Sequence, residues 1–267
     1  MDSRFTDQQY LKTDQYKDSS NLDTRALIHR RFSTNSYGWF TWVFDTLLKL
    51  PGNARILELG CGHGLLWKEN ASRIPAAWDI TLSDLSSGML DAAWRNLVVT
   101  GRAFQFKEID AQSIPFEDET FDAVIANHML YHVPDRPKAI AEIKRVLQPG
   151  GTLIATTVGN EHLKELNQWL RRVSGGKAIE PMPLSFTLEN GREQLQAFFP
   201  QVDMFRYHDR LEVTEIKPLI AFFETSFFSK DIVADILDEI VREMETGLKE
   251  KGKILIQKDS GLFEAAK

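Results

Sequence analysis

Apolar residues recur along this chain at two alternating spacings, and the switches between them mark its elements. "SYGWFTWVFDTLLKLPGN" sets Phe40, Val43, Phe44, Leu47 and Leu48 in helical register, and Pro51-Gly52 stops the run. A helix over residues 23–32, with Asp23 as its cap, is expected before it. From residue 55 onward, strand and helix patterns alternate. "RILEL" (55–59), "DITLSD" (79–84), "FQFKEID" (104–110), the start of "FDAVIANHML" (121–130) and "TLIATTV" (152–158) read as strands. "GLLWKENASRI", "SSGMLDAAWRNLVVT" (capped by Ser86 or Ser87) and "DRPKAIAEIKRVLQPGG" (ended by Pro149-Gly150-Gly151) read as helices. This alternation predicts an α/β fold with a doubly wound parallel sheet. Its crossovers are right-handed, and its strand C-termini line one ligand-binding edge.

The last hundred residues break the rhythm. "EHLKELNQWLRRVSGG" is helical, a loop carries Pro181 and Pro183, and a further helix falls near 190–199. "VDMFRYH" (202–208) reads as a strand. A second insertion, about 212–250, puts Ile232, Ile236, Leu237, Ile240, Met244 and Leu248 in helical register. "KILIQKDSGLFEAAK" reads as a two-strand hairpin, or as one edge strand with a polar turn. Three segments are expected: an N-terminal helical lid (1–50), a ligand-binding core (51–158), and cap insertions with C-terminal strands completing the same sheet (159–267). The pairs Phe198-Phe199, Phe222-Phe223 and Phe227-Phe228 suit either core filling or the wall of an apolar pocket.

The 267 residues are 43% hydrophobic and carry a net charge of −6, which suits one large soluble domain and disfavours a nucleic-acid substrate. Cys61 is the only cysteine, so no internal disulfide forms and a cytoplasmic location is expected. The polar first 21 residues lack a secretory apolar segment, and no stretch approaches the roughly 20 apolar residues of a membrane span. That polar stretch reads as loop or as a flap that orders over a ligand.

The candidate chemistry starts at "RILELGCGHGLLWKE". Gly60, Gly62 and Gly64 follow the first strand and allow close approach of backbone to a ligand. Asp84 ends the second strand, where an acid hydrogen-bonds ribose hydroxyls in dinucleotide folds. The glycine pattern nevertheless departs from the dinucleotide one, because Leu65 stands where a pyrophosphate-binding turn needs Gly or Ala. Glu58, two residues before the turn, would repel a pyrophosphate. The turn therefore suits a nucleoside cofactor without phosphates, and S-adenosyl-L-methionine fits.

"ILELGCGHG", "LSDLSSGML", "DAQSIPFEDETFDAVIANHMLYHVPD" and "LQPGGTLIATT" resemble the successive motifs of the class I S-adenosylmethionine-dependent methyltransferases, type 11 branch, over residues 52–158. The resemblance implies a Rossmann-like seven-strand sheet with an antiparallel last strand and helical cap insertions. It implies that Glu58, Gly60, Cys61 and Gly62 line the methionine and ribose side of the cofactor. Asp84 would take both ribose hydroxyls, and Leu85 and Met89 would pack on adenine. Asp110 would accept from the adenine amino group, with Ala111 beside the ring, and Asn127 would face the methionine part. Tyr16, Arg31 and Trp39 would close over the methionine carboxylate.

His128 is the candidate catalytic residue, as general base or substrate-facing group; its alternative role is to shape the loop. His132, just before Val133-Pro134, suits fixing the turn. Two histidines and Asp135 make a weak metal set, so no metal is expected. Cys61 lies where a cofactor would cover it and is not expected to be a nucleophile. Asn127-His128-Met129-Leu130 lacks the Asn/Asp-Pro-Pro-aromatic tetrad of nucleic-acid base methylases. The expected reaction is direct methyl transfer to an O, N or C nucleophile of a small-molecule acceptor, by a monomer or homodimer. Its rivals are a non-catalytic S-adenosylmethionine-binding regulatory subunit and a nicotinamide-dependent oxidoreductase.

Overall fold

The computed structural model describes residues 3–173, 184–225 and 230–267. Seven strands form one sheet in the order β3-β2-β1-β4-β5-β7-β6. β1 (Arg55–Leu59), β2 (Asp79–Asp84), β3 (Gln105–Glu108), β4 (Phe121–Asn127) and β5 (Leu147–Val158) are mutually parallel. β6 (Gln201–Val213) and β7 (Ile254–Ala266) complete the sheet, with β7 antiparallel to both β5 and β6. β1 and β4 are buried almost throughout, as continuous apolar strands covered on both faces must be.

The N-terminal segment is folded. It comprises α1 (Gln8–Tyr10), a π turn over Leu11–Gln15, α2 (Ser20–Phe32) and α3 (Trp39–Leu47). Asp23 does not cap α2; it lies in the first turn, and Ser19 precedes the helix. α4 (Leu65–Glu69) is shorter than expected, because Asn70 donates to the carbonyls of Leu66 and Phe40 and ends it. α5 (Ser87–Leu97) starts under Ser86, whose hydroxyl accepts from the Met89 amide. α6 (Arg136–Val146) stops before Pro149-Gly150-Gly151, which fall inside β5 at a register shift.

The two insertions supply α7 (Lys164–Val173), α8 (Gly191–Gln196), α9 (Lys217–Thr225) and α10 (Lys230–Lys251). Ile28 and Phe32 of α2 join Leu166, Leu219, Phe223, Ile240 and Met244 in an apolar cluster against Leu211 and Ile256. The N-terminal helix α2 and the two insertions are thus packed on each other as well as on the sheet. Of the phenylalanine pairs, Phe199 and Phe223 are buried core residues, and Phe227-Phe228 lie outside the described residues, as do Pro181 and Pro183.

The final segment corrects the expectation most clearly. "KILIQKDSGLFEAAK" is neither a hairpin nor an edge strand. It is one continuous strand in the sheet interior, paired along thirteen residues with β6. The polar "KDSG" does not turn, because partners are waiting for it: Lys258 pairs with Asp209 at 2.6 Å, and Asp259 pairs with Arg206.

Candidate cofactor and acceptor site

β1 ends in a turn built for close approach. Gly60 and Gly62 adopt φ of +66° and +54°, in the left-handed region. A Cβ on Gly60 would come within 2.8 Å of Met129 Cβ, and one on Gly62 within 3.2 Å of Leu22. Below this turn the C-terminal ends of β1, β2 and β4, the loop after β3 and the N-terminal segment enclose a cavity of about 180 Å3. Gly60, Gly62, Asp84, Leu85, Met89, Asp110, Ala111, Asn127, His128 and Tyr16 all line it.

Backbone amides donate to Asp84, that of Leu85 among them. The Gly62 amide donates to Oδ2 at 2.9 Å and the Ser86 amide to Oδ1 at 2.9 Å. Burial nevertheless pushes its carboxyl up to about 6, and these amides only partly offset it. Asp110 shifts the other way: burial would raise its carboxyl, but hydrogen bonds from Gln112 and Gln8 outweigh it and hold the group below the usual range. Asn127 Oδ1 accepts from Thr156 Oγ1 at 2.6 Å, which fixes the amide at the end of β4.

The next residue, His128, has φ of +53°, a strained value for a non-glycine residue. Its amide donates to Thr156 Oγ1 at 2.9 Å, and its ring lies 5.3 Å from that of Trp39. Burial, reinforced by the Lys258 ammonium, lowers the His128 imidazole to about 4, so it is neutral at pH 7.

Four expected residues do not reach the cavity wall. The Glu58 carboxylate is turned inward and accepts from Trp67 Nε1 at 2.6 Å; burial raises it to about 7. Cys61 is buried, and burial pushes its thiol well above the ordinary range, which leaves it inert. Arg31 pairs with Glu215 at 2.9 Å on the surface. Trp39 packs against Trp42, Tyr207 and His128, edge-to-face with Tyr207, and does not line the cavity.

Tyr16 was expected to close the site; the residues that join it there, Gln8, Lys12 and the partners of Ser86 and His132, were not. Gln8 Nε2 donates to Asp110 Oδ2 at 3.0 Å, Lys12 pairs with Glu108 at 2.5 Å, and Ser86 Oγ donates to the Tyr16 carbonyl at 2.7 Å. Tyr16 Oη lies 3.1 Å from His132 Nε2, and His132 Nδ1 lies 2.8 Å from the Phe5 carbonyl. A carbonyl only accepts, so Nδ1 carries the proton and Nε2 accepts from the Tyr16 hydroxyl. Burial lowers His132 to about 4, which keeps this neutral tautomer at pH 7. Polar residues 5–16, without apolar periodicity, gave no signal of these contacts beyond the reading of a flap.

Residues 57–155 match the family profile of a methyltransferase domain, type 11 branch. That segment is a methyltransferase domain. The chain is 33% identical over 149 residues to the ubiquinone/menaquinone biosynthesis C-methyltransferase UbiE of Ectopseudomonas mendocina, covering 55% of this chain and 56% of that protein. It is 32% identical over 162 residues to the malonyl-[acyl-carrier protein] O-methyltransferase of Erwinia pyrifoliae, covering 57% and 59%. The chain thus spans little more than half the length of these curated relatives. Phosphoethanolamine N-methyltransferase 2 of Haemonchus contortus, solved with S-adenosyl-L-methionine, superposes with a TM-score of 0.58 at 21% identity, over 98% of this chain and 60% of that one. That likeness establishes the methyltransferase fold across nearly the whole chain. Among the described residues, no helix is long and apolar enough to cross a membrane. No group of three or more His, Cys, Asp or Glu among them is placed to hold a metal ion.

Proposed function

We propose that this chain binds S-adenosyl-L-methionine under the glycine turn and transfers its methyl group to a small-molecule acceptor. One observation carries the reading: Asp84, Asp110, Asn127 and His128, from the ends of β2, β3 and β4, converge with Gly60 and Gly62 on one cavity. The donor set fits the cofactor. Two carboxylates accept from ribose hydroxyls and from the adenine amino group, Met89 and Leu85 offer an apolar adenine wall, and the bare turn leaves room for the ribose. When bound, the cofactor supplies an electrophilic methyl group on a sulfonium.

The cavity falls below the roughly 300–1,000 Å3 of typical small-molecule sites, so the part of the strap around Gln8 moves outward on binding. Gln8 leaves Asp110, and the Tyr16–His132 bond then secures the closed strap. His128 is a weak base in this environment, and a neighbouring sulfonium weakens it further. It serves best as a neutral hydrogen-bond acceptor that orients the nucleophile, with in-line placement and water exclusion supplying most of the catalysis. Leu65 and the acid at Glu58 give no support to a nicotinamide cofactor. The lone buried cysteine fits a cytoplasmic enzyme, acting as a monomer or homodimer.

Calorimetric titration with S-adenosylhomocysteine is the test of the cofactor, with Asp84→Ala expected to weaken binding by on the order of 1.5–3 kcal/mol. Transfer of a labelled methyl group to a panel of acceptors tests the reaction. Unchanged affinity in the variant, or cofactor binding with no transfer to any acceptor, counts against the reading; the latter result selects a regulatory subunit.

A further inference from the structure

Outside the cavity lining lies a second set of polar side chains that cofactor binding does not use. His29 of α2 stacks on His162, with ring centroids 6.0 Å apart. His162 Nδ1 accepts from the Asp259 amide at 3.1 Å and lies 3.4 Å from Ser260 Oγ. His29 Nδ1 is buried and has no hydrogen-bond partner, a cost a folded chain rarely leaves standing. Register places Lys258 and Ser260 on one face of β7, opposite Asp209 and Tyr207 of β6.

Three features give this cluster the character of a site. First, His29, His128 and His162 each keep a partly accessible surface although apolar lid and cap residues surround them. Second, burial holds all three neutral, with His29 at about 3 and His128 at about 4; the Lys258 ammonium pushes each in the same direction. Third, the nearby acids are already engaged. Asp209 accepts from Ser33, from the Thr34 and Asn35 amides and from Lys258. Asp259 is paired with Arg206. The three imidazoles therefore stand beside a Lys258 already paired with Asp209, with both nearby acids engaged.

We propose that His29, His128 and His162, with Lys258 and Ser260 behind them, form the acceptor chamber, and that it recognises a small oxyanion, a carboxylate or a phosphate carried by the acceptor. An anion there gives His29 Nδ1 its missing partner. It also reverses the electrostatics of the cluster, so binding takes up a proton onto the imidazoles. His128 then stands between the anionic end of the acceptor and the methyl donor. The groups that bias this uptake are Lys258 and Asp259 of β7, Asp209 and Arg206 of β6, and His132 beyond His128. The assignment of the anion as part of the acceptor rests on the methyl-transfer reading.

The test is calorimetry of the full chain with malonate, inorganic phosphate and neutral malonamide, each with and without saturating S-adenosylhomocysteine. At least one anion should bind about tenfold or more tighter than malonamide, as for hydrogen bonds to a charged group. The preferred anion distinguishes a carboxylate from a phosphate acceptor. Repetition in two buffers of different ionisation enthalpy should show proton uptake. His29→Ala and His162→Asn should each weaken the anion by about tenfold with the cofactor affinity held. Anion binding no tighter than malonamide, binding without proton uptake, or folded variants of unchanged affinity would each overturn the proposal. Failure of S-adenosylhomocysteine to bind strikes the cofactor reading instead, because the anion titrations without it judge the chamber independently.

Discussion

Tyr16 of the N-terminal strap hydrogen-bonds His132 of the loop after β4, 116 residues away in sequence, at 3.1 Å. His132 is held from its other side by the Phe5 carbonyl, so one neutral imidazole ties two points of the strap to the rim of the cavity. Tyr16→Phe deletes the donor and leaves Nε2 without it. The expected cost is about 1 kcal/mol of strap closure, or about fivefold faster amide hydrogen exchange over residues 8–16. Turnover should fall more than cofactor affinity. Exchange identical to the wild type would mean that the bond does not hold the strap.

Gln8 competes for the carboxylate assigned to the adenine amino group. Gln8→Ala removes that competitor and widens the cavity. Cofactor affinity should rise by about 1 kcal/mol, roughly fivefold, by calorimetry. A loss of affinity would instead make Gln8 part of the binding surface.

The raised carboxyl of Asp84 predicts a pH dependence of cofactor binding. Ribose hydroxyls donate, so they favour the ionised acid and lower its pKa in the complex. Affinity is then full above about pH 6 and falls as pH drops through that value, by at most about tenfold per unit. Asp84→Asn should abolish that slope while weakening binding throughout. A wild-type affinity that is flat between pH 5 and pH 7, roughly a unit either side of the folded value, would contradict the ionised role.

Glu58 titrates near this window but affects stability. Its folded pKa of about 7 lies above the unfolded value of 4.5, so the native state holds the extra proton between them. Stability contributed by this group is complete at low pH and is lost as pH rises through 4.5–7, by up to ~3 kcal/mol in all. Glu58→Gln keeps an acceptor for the Trp67 indole and removes the buried charge. Its melting temperature should exceed that of the wild type at pH 8 and approach it at pH 5. Equal melting temperatures at pH 8 would show that the carboxylate is not destabilising when ionised.

The parts of this molecule that were legible in the sequence are the local ones. The first strand, its glycine turn and the acid ending the next strand lie within thirty residues and follow rules of period and spacing. What escaped was pairing over long separations. Gln8 and Tyr16 stand in a polar stretch with no periodicity, yet they meet residues after β3 and β4. Arg31 was expected at the cofactor; on α2 it lies two residues, about 200°, beyond His29, and so faces Glu215 at the surface. Glu58 was read as facing the ligand, because its indole partner, nine positions on, is visible only once α4 folds back over β1. The polar "KDSG" looked like a turn because its ionic partners on β6 lie fifty residues upstream.

The placement of β7 has a consequence for how the protein is made. Its neighbours β5 and β6 are synthesised long before it, and β6 gains its thirteen paired residues only when β7 slides between them. Until Ile254–Ala266 leaves the ribosome, β6 and the cap behind it have no seat on the sheet. A chain interrupted a few codons before that strand would retain every glycine and acid of the cofactor turn and still be left with an open sheet, a ready target for proteolysis. β7 is thus the last strand of the sheet in sequence and the one that joins β6 to β5.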